Sequence, residues 1–312
     1  MKVGLVGFGN TGKAVATVLL KNPAISLEWV IRASTRQTGR TAPDVLGIES
    51  TSPGRILSSS ELSAEELLGR HPVEVIIDFS GEDGVDYYGE AAAARRVNIV
   101  SAISHYSLAK QRKLERLSRR TAILWSPNIT IGINFLILAA QTLRRIAPGT
   151  DVEIIEKHFK DKRSVSGTAK IISASLGVEE QDIKSIRAGG IIGVHEILFG
   201  MPAQTIRLRH ESVSREAFGN GAMFVAERLE GKPPGLYKME DLLLPFFGTE
   251  TWAPAPTWRE RIFRVGSRSS SRERRRAQME AAIDALHHPA AANLVVDDVV
   301  SEQLDSRPDP TH

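Results

Sequence analysis

The sequence contains no cysteine, which excludes disulfide bonds and metal sites built on thiolates. No apolar run approaches the roughly 18 residues that a membrane span needs, so we expect no insertion into a membrane. Basic and acidic residues nearly balance at a net charge of +3, which is too small by itself to indicate nucleic acid as a partner. Because the start of the chain also lacks a cleavable signal pattern, we expect a cytoplasmic protein.

What the sequence does contain is an alternation of short β-rich runs with helical patterns over residues 1–128. The predicted strands are Lys2–Val6, Ser26–Ile31, Val73–Phe79, Asn98–Ser101 and Ala122–Trp125. Strands that alternate with helices pair in parallel and are covered by helices on both faces. The first part of the chain is therefore predicted to be a Rossmann-type, doubly wound parallel α/β sheet.

A second domain is predicted to begin near residue 129. A helical spacing of apolar residues over 134–146 is followed by a series of strand-like segments. These segments are 152–155, 185–188, 193–199 and 204–210. Because strands dominate, residues 129–214 are predicted to form an α+β domain with a mixed sheet, followed by an amphipathic helix over 215–230.

The composition changes after Phe247. A linker-like stretch at 251–257 leads into residues 259–276, which hold eight arginines, and residues 277–312 carry seven acidic side chains. We predict a polar, arginine-rich extension over 249–312 that is partly disordered and has one helix from about 272 to 286. The arginines fit a solvated segment that folds against the acidic tail, while RNA or a membrane surface is the alternative partner.

A dinucleotide-binding pattern follows the first predicted strand. Gly7, Gly9 and Gly12 form G-x-G-x-x-G at the start of an apolar-periodic helix, with Asn10 and Thr11 between the last two glycines. In this setting the glycines permit a tight turn, close approach of a pyrophosphate and close packing of the helix on the strand. The alternative is that the glycines serve only the turn.

The end of the second strand bears on the choice of cofactor. An NAD-selective site presents Asp or Glu there, but this sequence has Arg32 and, four residues later, Arg36. A guanidinium pairs with a 2′-phosphate, so NADPH is favoured as the cofactor and NADH is a possible second one. The alternative is a solvated pair of arginines.

A third pattern lies between residues 154 and 169. It places His158 among lysines and ahead of Ser166-Gly167-Thr168, after which a helical pattern begins. Cations and the free N–H groups of a helix start both bind carboxylates, and a histidine can move a proton near neutral pH. The segment predicts a site for an anionic substrate, with a histidine on a basic surface loop as the alternative. No group of histidines and carboxylates has the spacing of a metal site, and His195 is interpreted as a hydrogen-bonded strand residue.

These patterns resemble the dihydrodipicolinate reductase (4-hydroxy-tetrahydrodipicolinate reductase) family over residues 1 to about 245. The resemblance rests on segments that follow one another in order. They are the glycine pattern, Val75 to Ser80, Ser126 to Asn134, Glu156 to Thr168, Gly189 to Glu196 and Gly231 to Asp241. It implies that residues 215–248 complete the first domain, that the second domain supplies the substrate site, and that its mixed sheet forms a homotetramer.

The resemblance also implies roles for individual residues. His158 matches the family's proton donor and Lys162 the lysine that assists it, with Lys160 as the alternative if the register of the short loop shifts. Ser166, Gly167 and Thr168 match the turn that holds a substrate carboxylate. The residues that match cofactor contacts, besides Arg32 and the glycine pattern, are Phe79, Ser80, Ser101, Ile103 and Asn128.

Three departures from the family pattern affect the substrate side. Phe159 replaces the family's second histidine, and the loop between Lys162 and Ser166 is one residue shorter. Residues 101–104 read Ser-Ala-Ile-Ser where the family has Gly-Thr-Thr-Gly, so both threonine hydroxyls are lost, and His105, Tyr106 or Ser107 are candidates to replace them.

The function expected from the resemblance is the NAD(P)H-dependent reduction of 4-hydroxy-tetrahydrodipicolinate, a small anionic heterocycle, to tetrahydrodipicolinate in diaminopimelate and lysine biosynthesis. Two alternatives stay open at this point. One is a related imine or amine oxidoreductase with a different substrate. The other is a catalytically silent nucleotide-binding regulator that uses the arginine-rich segment to bind a partner.

Overall fold

The fold was taken from a computed structural model, and the structure describes residues 1–247. The extension predicted over 249–312, with its arginine-rich run and its helix from about 272, lies outside the described residues. Within residues 1–247, no helix has both the length and the apolar character that crossing a membrane requires.

Eleven strands and nine helices are found in the described part of the chain. The strands are β1 (Lys2–Val6), β2 (Ser26–Arg32), β3 (Arg55–Ser58), β4 (Val75–Asp78), β5 (Asn98–Ser101), β6 (Ala122–Trp125), β7 (Asp151–His158), β8 (Lys184–Arg187), β9 (Val194–Met201), β10 (Gln204–Glu211) and β11 (Gly235–Tyr237). The helices are α1 (Asn10–Lys21), α2 (Ala42–Leu46), α3 (Ala64–Arg70), α4 (Gly84–Ala94), α5 (Leu108–Leu117), α6 (Ile131–Ile146), α7 (Gly167–Leu176), α8 (Glu216–Leu229) and α9 (Met239–Leu243). Short 3₁₀ turns lie at Glu180–Asp182 and Leu244–Phe247.

The first sheet has seven strands in the order β11-β6-β5-β4-β1-β2-β3, and all of its pairings are parallel. One face is covered by a core that includes Trp29, Tyr88 and Tyr106, and the other by a core that includes Leu19 and Leu229. The predicted doubly wound parallel sheet is confirmed. Because its strands are parallel, their carboxyl ends share one edge, where ligands of such sheets bind.

The second sheet has four strands in the order β10-β9-β7-β8. β7 pairs in parallel with β8, while β7 with β9 and β9 with β10 are antiparallel, so the predicted mixed sheet is confirmed. Ile154, Ile197 and Phe199 on one face form a third core with residues of α6 and α7. The alternation of buried and exposed residues along β7 shows that this face alone is covered by helices.

Some elements were missed or misplaced by the sequence patterns. β3 and β11 were not predicted, and β11, with three residues, is too short for a recognisable alternation. β7 was predicted to end at residue 155 but continues to His158, because Glu156, Lys157 and His158 pair with residues of β8 and β9. His158 is therefore the last residue of a central strand and does not lie on a surface loop.

The helix after the second sheet returns to the first one. Residues of α8 and α9 belong to the same core as β1, and β11 pairs with β6 at the edge of the seven-stranded sheet. This arrangement depends on close packing of α8 against α1, since a Cβ at Gly219 of α8 would lie 2.8 Å from the side chain of Val18 on α1.

Candidate active site

The glycine pattern lies between β1 and α1 at the carboxyl edge of the first sheet. Gly7 has φ +95°, and a Cβ there would lie 2.6 Å from the carbonyl oxygen of Phe79. A Cβ on Gly12 would lie 2.2 Å from the carbonyl oxygen of Gly7, whereas a Cβ on Gly9 would meet no atom within 4 Å. Gly7 and Gly12 are thus required by the protein's own packing, while Gly9 borders open space.

The start of α1 has the properties of an anion site. Gly9 is its N-cap residue and contributes no side-chain cap, and no acidic residue occupies the first turn. The first N–H groups of a helix have no partner within the helix and carry a partial positive charge. The amides of Asn10, Thr11 and Gly12 are therefore placed to bind a phosphate next to the open space at Gly9.

The segment after β4 borders the glycine turn. Asp78 is fully buried, and its Oδ1 accepts hydrogen bonds from the amide and the hydroxyl of Ser80 at 2.8 and 2.6 Å. Its Oδ2 accepts one from Tyr88 at 2.8 Å. Burial raises the pKa of Asp78 against the opposing effect of these donors. Asp78 fixes the shape of the loop in which Phe79 and Ser80 face Gly7.

Arg32 ends β2 on the same edge, as the sequence predicted. Its Nη1 donates a hydrogen bond to Oε1 of Gln37 at 2.6 Å, and Gln37 has the left-handed φ of 72°. This hydrogen bond holds the guanidinium beside the turn that follows the strand, and Arg32 is partly exposed there.

The loop after β5 is more deeply buried than the sequence indicated. Ser101 is fully buried, and its hydroxyl lies 2.9 Å from that of Tyr106. The side chain of Ile103 is buried as well, and its carbonyl accepts a hydrogen bond from the indole of Trp125 at 2.8 Å. Tyr106 is fully buried and does not take the place of a lost threonine hydroxyl, while His105 remains exposed.

Asn128 joins the first sheet to the start of α7. It follows β6, and its Nδ2 donates a hydrogen bond to Oγ1 of Thr168 at 3.0 Å. Its Oδ1 accepts from the amide and the hydroxyl of Thr130 at 3.1 and 2.9 Å. The Ser166-Gly167-Thr168 turn is thereby anchored at the carboxyl edge of the parallel sheet.

Ser166 is the N-cap residue of α7 and is buried. Its Oγ accepts a hydrogen bond from the amide of Ala169 at 3.1 Å and lies 3.0 Å from Nε2 of His195. The amides of Gly167 and Thr168 belong to the first turn, where helix N–H groups have no partner within the helix. These amides are placed where a helix start can bind an anion, and the carboxylate predicted from the sequence for this turn stays a prediction.

His158 lies beside His195, whose ring centroid is 5.3 Å away, and is only 8% exposed. Its Nδ1 is in direct contact with Oε2 of Glu156, which is fully buried. A Cβ at Gly193 would lie 3.2 Å from Nε2 of His158, so a glycine backbone borders that nitrogen.

The other carboxylate oxygen of Glu156, Oε1, accepts hydrogen bonds from two residues of β8. Ser185 donates a hydrogen bond to Oε1 at 2.6 Å, and the guanidinium of Arg187 donates another. We call Glu156, His158, Arg187 and His195 the histidine cluster. Three strands of the mixed sheet contribute to it, because Glu156 lies opposite both Ser185 and His195 and His158 lies opposite Arg187.

The protonation of the cluster follows from burial and charge. Burial lowers the pKa of His158 below its ordinary value; the charges of Lys162 and Arg187 act in the same direction, and Glu156 opposes them. Burial acts to raise the pKa of Glu156, but the hydrogen bonds from Ser185 and Arg187 and the charge of His158 outweigh it and lower that pKa. Burial lowers the pKa of His195 to about 4, so this ring is neutral at pH 7.

Lys162 lies on the loop between β7 and α7, where it is partly buried. Its amide donates a hydrogen bond to the carbonyl of Phe159 at 3.1 Å, and its carbonyl accepts one from Nε of Arg187 at 2.8 Å. Phe159, which stands in place of a histidine, is 45% exposed, and Lys160 is exposed too.

Glu156, His158 and His195 offer ligand atoms that all lie within 4.8 Å of one another, a grouping that the sequence spacing did not indicate. Two ligands of one tetrahedral zinc ion stand roughly 3.3 Å apart, since each bond is about 2.0 Å long. The contact between Glu156 and His158 is closer than that, and Arg187 places a positive charge on the same carboxylate. In residues 1–247 this group is therefore better described as an ion-paired cluster than as a metal centre.

The parallel sheet with the glycine turn at its carboxyl edge, together with a separate four-stranded mixed sheet, defines the fold of a dinucleotide-dependent oxidoreductase. The model of the N-terminal part of dihydrodipicolinate reductases matches residues 1–129, and that of the C-terminal part matches residues 130–243. The chain belongs to the dihydrodipicolinate reductase family, and the resemblance read from the sequence is confirmed.

Individual relatives agree with the family models. The 4-hydroxy-tetrahydrodipicolinate reductase of Caldanaerobacter subterraneus subsp. tengcongensis is 32% identical over 196 residues, which is 56% of this chain and 78% of the relative. The enzyme of the same name from Thermosipho africanus is 30% identical over 210 residues, or 67% of this chain and 94% of the relative.

Solved structures share the fold at low sequence identity. Dipicolinate-bound dihydrodipicolinate reductase from Paenisporosarcina sp. TG-14 superposes with a TM-score of 0.64 at 20% identity and covers 77% of this chain and 98% of its own. An amine dehydrogenase from Mycobacterium smegmatis has a TM-score of 0.55 at 14% identity, covering 76% of this chain and 94% of its own. At these identities the likeness is one of fold.

Proposed function

We propose that the protein reduces 4-hydroxy-tetrahydrodipicolinate to tetrahydrodipicolinate with a nicotinamide cofactor, in diaminopimelate and lysine biosynthesis. The reaction takes up one hydride and one proton and releases water. The observation that carries the proposal is the anchoring of the Ser166-Gly167-Thr168 turn by Asn128 at the carboxyl edge of the nucleotide-binding sheet. It supports a substrate site beside the glycine turn, in a chain whose relatives are named for this reaction.

The residues around the glycine turn fit a dinucleotide. Gly9 borders open space, and the start of α1 offers the amides of Asn10, Thr11 and Gly12 to a pyrophosphate. In this proposal the nicotinamide end would be held by the loop of Phe79 and Ser80, the backbone of Ser101 and Ile103, and Asn128. A bound nicotinamide cofactor supplies the hydride.

The substrate is held and protonated from the second domain. The amides of Gly167 and Thr168 and the hydroxyl of Thr168 bind a carboxylate, while Lys162 adds positive charge. His158 delivers the proton that balances the added hydride, with Lys162 assisting. Burial and Lys162 lower the pKa of His158 in the free enzyme. The negative charges of a bound dianion raise it again and favour the protonated form, so that substrate binding prepares the acid.

The decisive assay follows the absorbance of NADPH with substrate freshly made by dihydrodipicolinate synthase. We expect rapid oxidation that depends on the synthase product, with a cyclic imine lacking both carboxylates as the control. Oxidation of NADPH by that imine alone would favour the second candidate, an imine or amine oxidoreductase with another substrate. The exposed Phe159 and the buried hydroxyl of Ser101 are the features that favour it.

We propose NADPH as the preferred cofactor because Arg32 lies at the end of β2, where a 2′-phosphate is recognised. In Arg32→Gln we expect kcat/KM for NADPH to fall about 10-fold, the effect of one charged hydrogen bond, with little change for NADH. Arg55→Gln at the start of β3 is the control. An equal loss with both cofactors would assign Arg32 a structural role.

We also propose that the protein is a cytoplasmic homotetramer and that residues 1–128 with 215–248 form its cofactor domain, while 129–214 form its substrate domain. The face of the mixed sheet opposite the helices supports an interface, since it carries Ile155, Leu198 and Ile186, the last of them 44% exposed. Light scattering on the purified chain tests the tetramer, and a monomeric mass would refute it.

A further inference from the structure

Arg187 connects the loop between β7 and α7 to the carboxylate of Glu156. It is the last residue of β8, and only 19% of its side chain is exposed. Its Nε donates to the carbonyl of Lys162 at 2.8 Å, and its Nη2 donates to the carbonyl of Ser164 at 3.0 Å and to Oε1 of Glu156. One guanidinium thus ties the shortened loop before α7 to a buried carboxylate.

Glu156 lies between Arg187 and the histidine. The carboxylate is fully buried, and such a charge is stable only when it is paired and hydrogen-bonded. Ser185 and Arg187 satisfy Oε1, which leaves Oε2 against Nδ1 of His158. When one ring nitrogen of a histidine faces a carboxylate, the proton stays on that nitrogen and the other nitrogen carries out the chemistry.

We propose that Glu156 and Arg187 are positioning residues for the reduction: Glu156 keeps a proton on Nδ1 of His158, so that Nε2 delivers the catalytic proton, and Arg187 ties this pair to the loop that carries Lys162. The proposal rests on the proposed function, because it takes His158 to be the proton donor. The loop that carries Lys162 and the imidazole of His158 then keep fixed positions relative to each other, although the loop has one residue fewer than the family pattern.

The charges around His158 give the proposal a measurable consequence. The groups that face it are Glu156 on its own strand, Arg187 on β8, His195 on β9 with His210 beyond it on β10, and Lys162 on the loop. Glu156 is the single negative charge in this set. Without it, burial and the two cations act unopposed, and the imidazole loses its proton at lower pH.

The first experiment is an NMR titration of the His158 imidazole in the Glu156→Gln variant without substrate, with the signal assigned by its loss in His158→Ala. We expect the pKa of His158 to fall by about 1 to 3 pH units, the usual effect of a charge in contact. The pH above which kcat/KM declines should fall together with this pKa. Glu90→Gln is the matched control, because Glu90 is also an ion-paired glutamate, with Arg116 and Arg120 as its partners, but lies half exposed on α4.

A folded Glu156→Gln variant with an unchanged His158 pKa would overturn the proposal, even if its melting temperature fell, since a purely structural role lowers stability alone. The titration needs no substrate. An inactive wild-type enzyme with a shifted pKa in the variant would therefore refute the proposed function while supporting the pairing.

The second experiment uses Arg187→Lys, which keeps the charge but lacks the planar fork of donors with which the guanidinium reaches Lys162, Ser164 and Glu156 together. We expect the KM for substrate to rise about 10-fold, as for loss of one charged hydrogen bond, and the amide of Lys162 to exchange faster with deuterium. Arg116→Lys on α5 is the control. Unchanged KM and exchange would contradict the role of Arg187, and this variant decides the matter if Glu156→Gln fails to fold.

Discussion

The glycine turn of the parallel sheet and the histidine cluster of the mixed sheet are built in opposite ways. At the glycine turn the important features are missing side chains, since Gly7 and Gly12 permit close packing and Gly9 leaves space. In the histidine cluster the features are buried charges, with Glu156 fully buried between Arg187 and His158. We therefore expect ligand binding at the glycine turn to be insensitive to pH, whereas the histidine cluster depends on protonation.

The largest effect should come from removing the proton donor. This change alters the histidine cluster and leaves the glycine turn as it is. In His158→Ala we expect kcat to fall by roughly 10²-fold or more, the usual contribution of general acid catalysis, while the Kd for NADPH measured by fluorescence stays unchanged. His71→Ala, at the end of α3, is the control. An unchanged kcat would remove His158 from the mechanism.

Acid should affect the histidine cluster selectively. The pKa of His195 in the folded protein is about 4 against an ordinary value of 6.5. As the pH falls below 6.5 the unfolded chain therefore binds this proton first, and folding stability is lost progressively down to about pH 4. Urea unfolding should show a loss of about 2 kcal/mol between pH 7 and pH 5 from this residue alone.

His195→Gln is the variant that tests this loss, because a glutamine amide can still bond to Ser166. Its stability should change less between pH 7 and pH 5 than that of the wild type, although His158 and His210, whose pKa values are also lowered by burial, still contribute. An equal acid loss in both proteins would show that His195 is not held neutral in the fold.

The glycine turn can be tested without disturbing the fold. A Cβ at Gly9 meets no protein atom within 4 Å, so Gly9→Ala should keep its melting temperature while the Kd for NADPH rises about 10-fold, or 1.4 kcal/mol. Gly69→Ala on α3, where a Cβ also meets nothing, is the control. Normal cofactor affinity in Gly9→Ala would mean that the pyrophosphate does not approach this position.

The two sites also differ in how far the sequence predicts them. The glycine turn is contiguous, and the roles expected for Gly7, Gly9 and Gly12 agree with what a Cβ would meet at each. His158 and the turn at Ser166 were found because they lie within a dozen residues of each other. Glu156 begins one of the matching segments and is two residues from His158, but it was assigned no role, since a single glutamate in a strand carries no signal of burial.

Ser185, Arg187 and His195 reach the cluster only through strand pairing. Glu156 lies opposite Ser185 on β8 and opposite His195 on β9, and these partners are about 30 and 40 residues away along the chain. No local pattern encodes that register. The inward position of the Ser101 hydroxyl was likewise not predictable, because it depends on the buried Tyr106.

The smallest effect should come from adding one methyl group beside the donor nitrogen. A Cβ at Gly193 would lie 3.2 Å from Nε2 of His158, a contact that the ring can relieve only by moving a few tenths of an ångström. Gly193→Ala should therefore lower kcat a few-fold, about 1 kcal/mol by the cost of an overpacked contact, with the Kd for NADPH unchanged. Gly190→Ala in the same loop, where a Cβ meets nothing within 4 Å, should be silent. Equal kcat values for the two variants would show that the backbone of Gly193 does not border the reacting nitrogen, and would leave Nδ1, on the side of Glu156, as the nitrogen nearer the substrate.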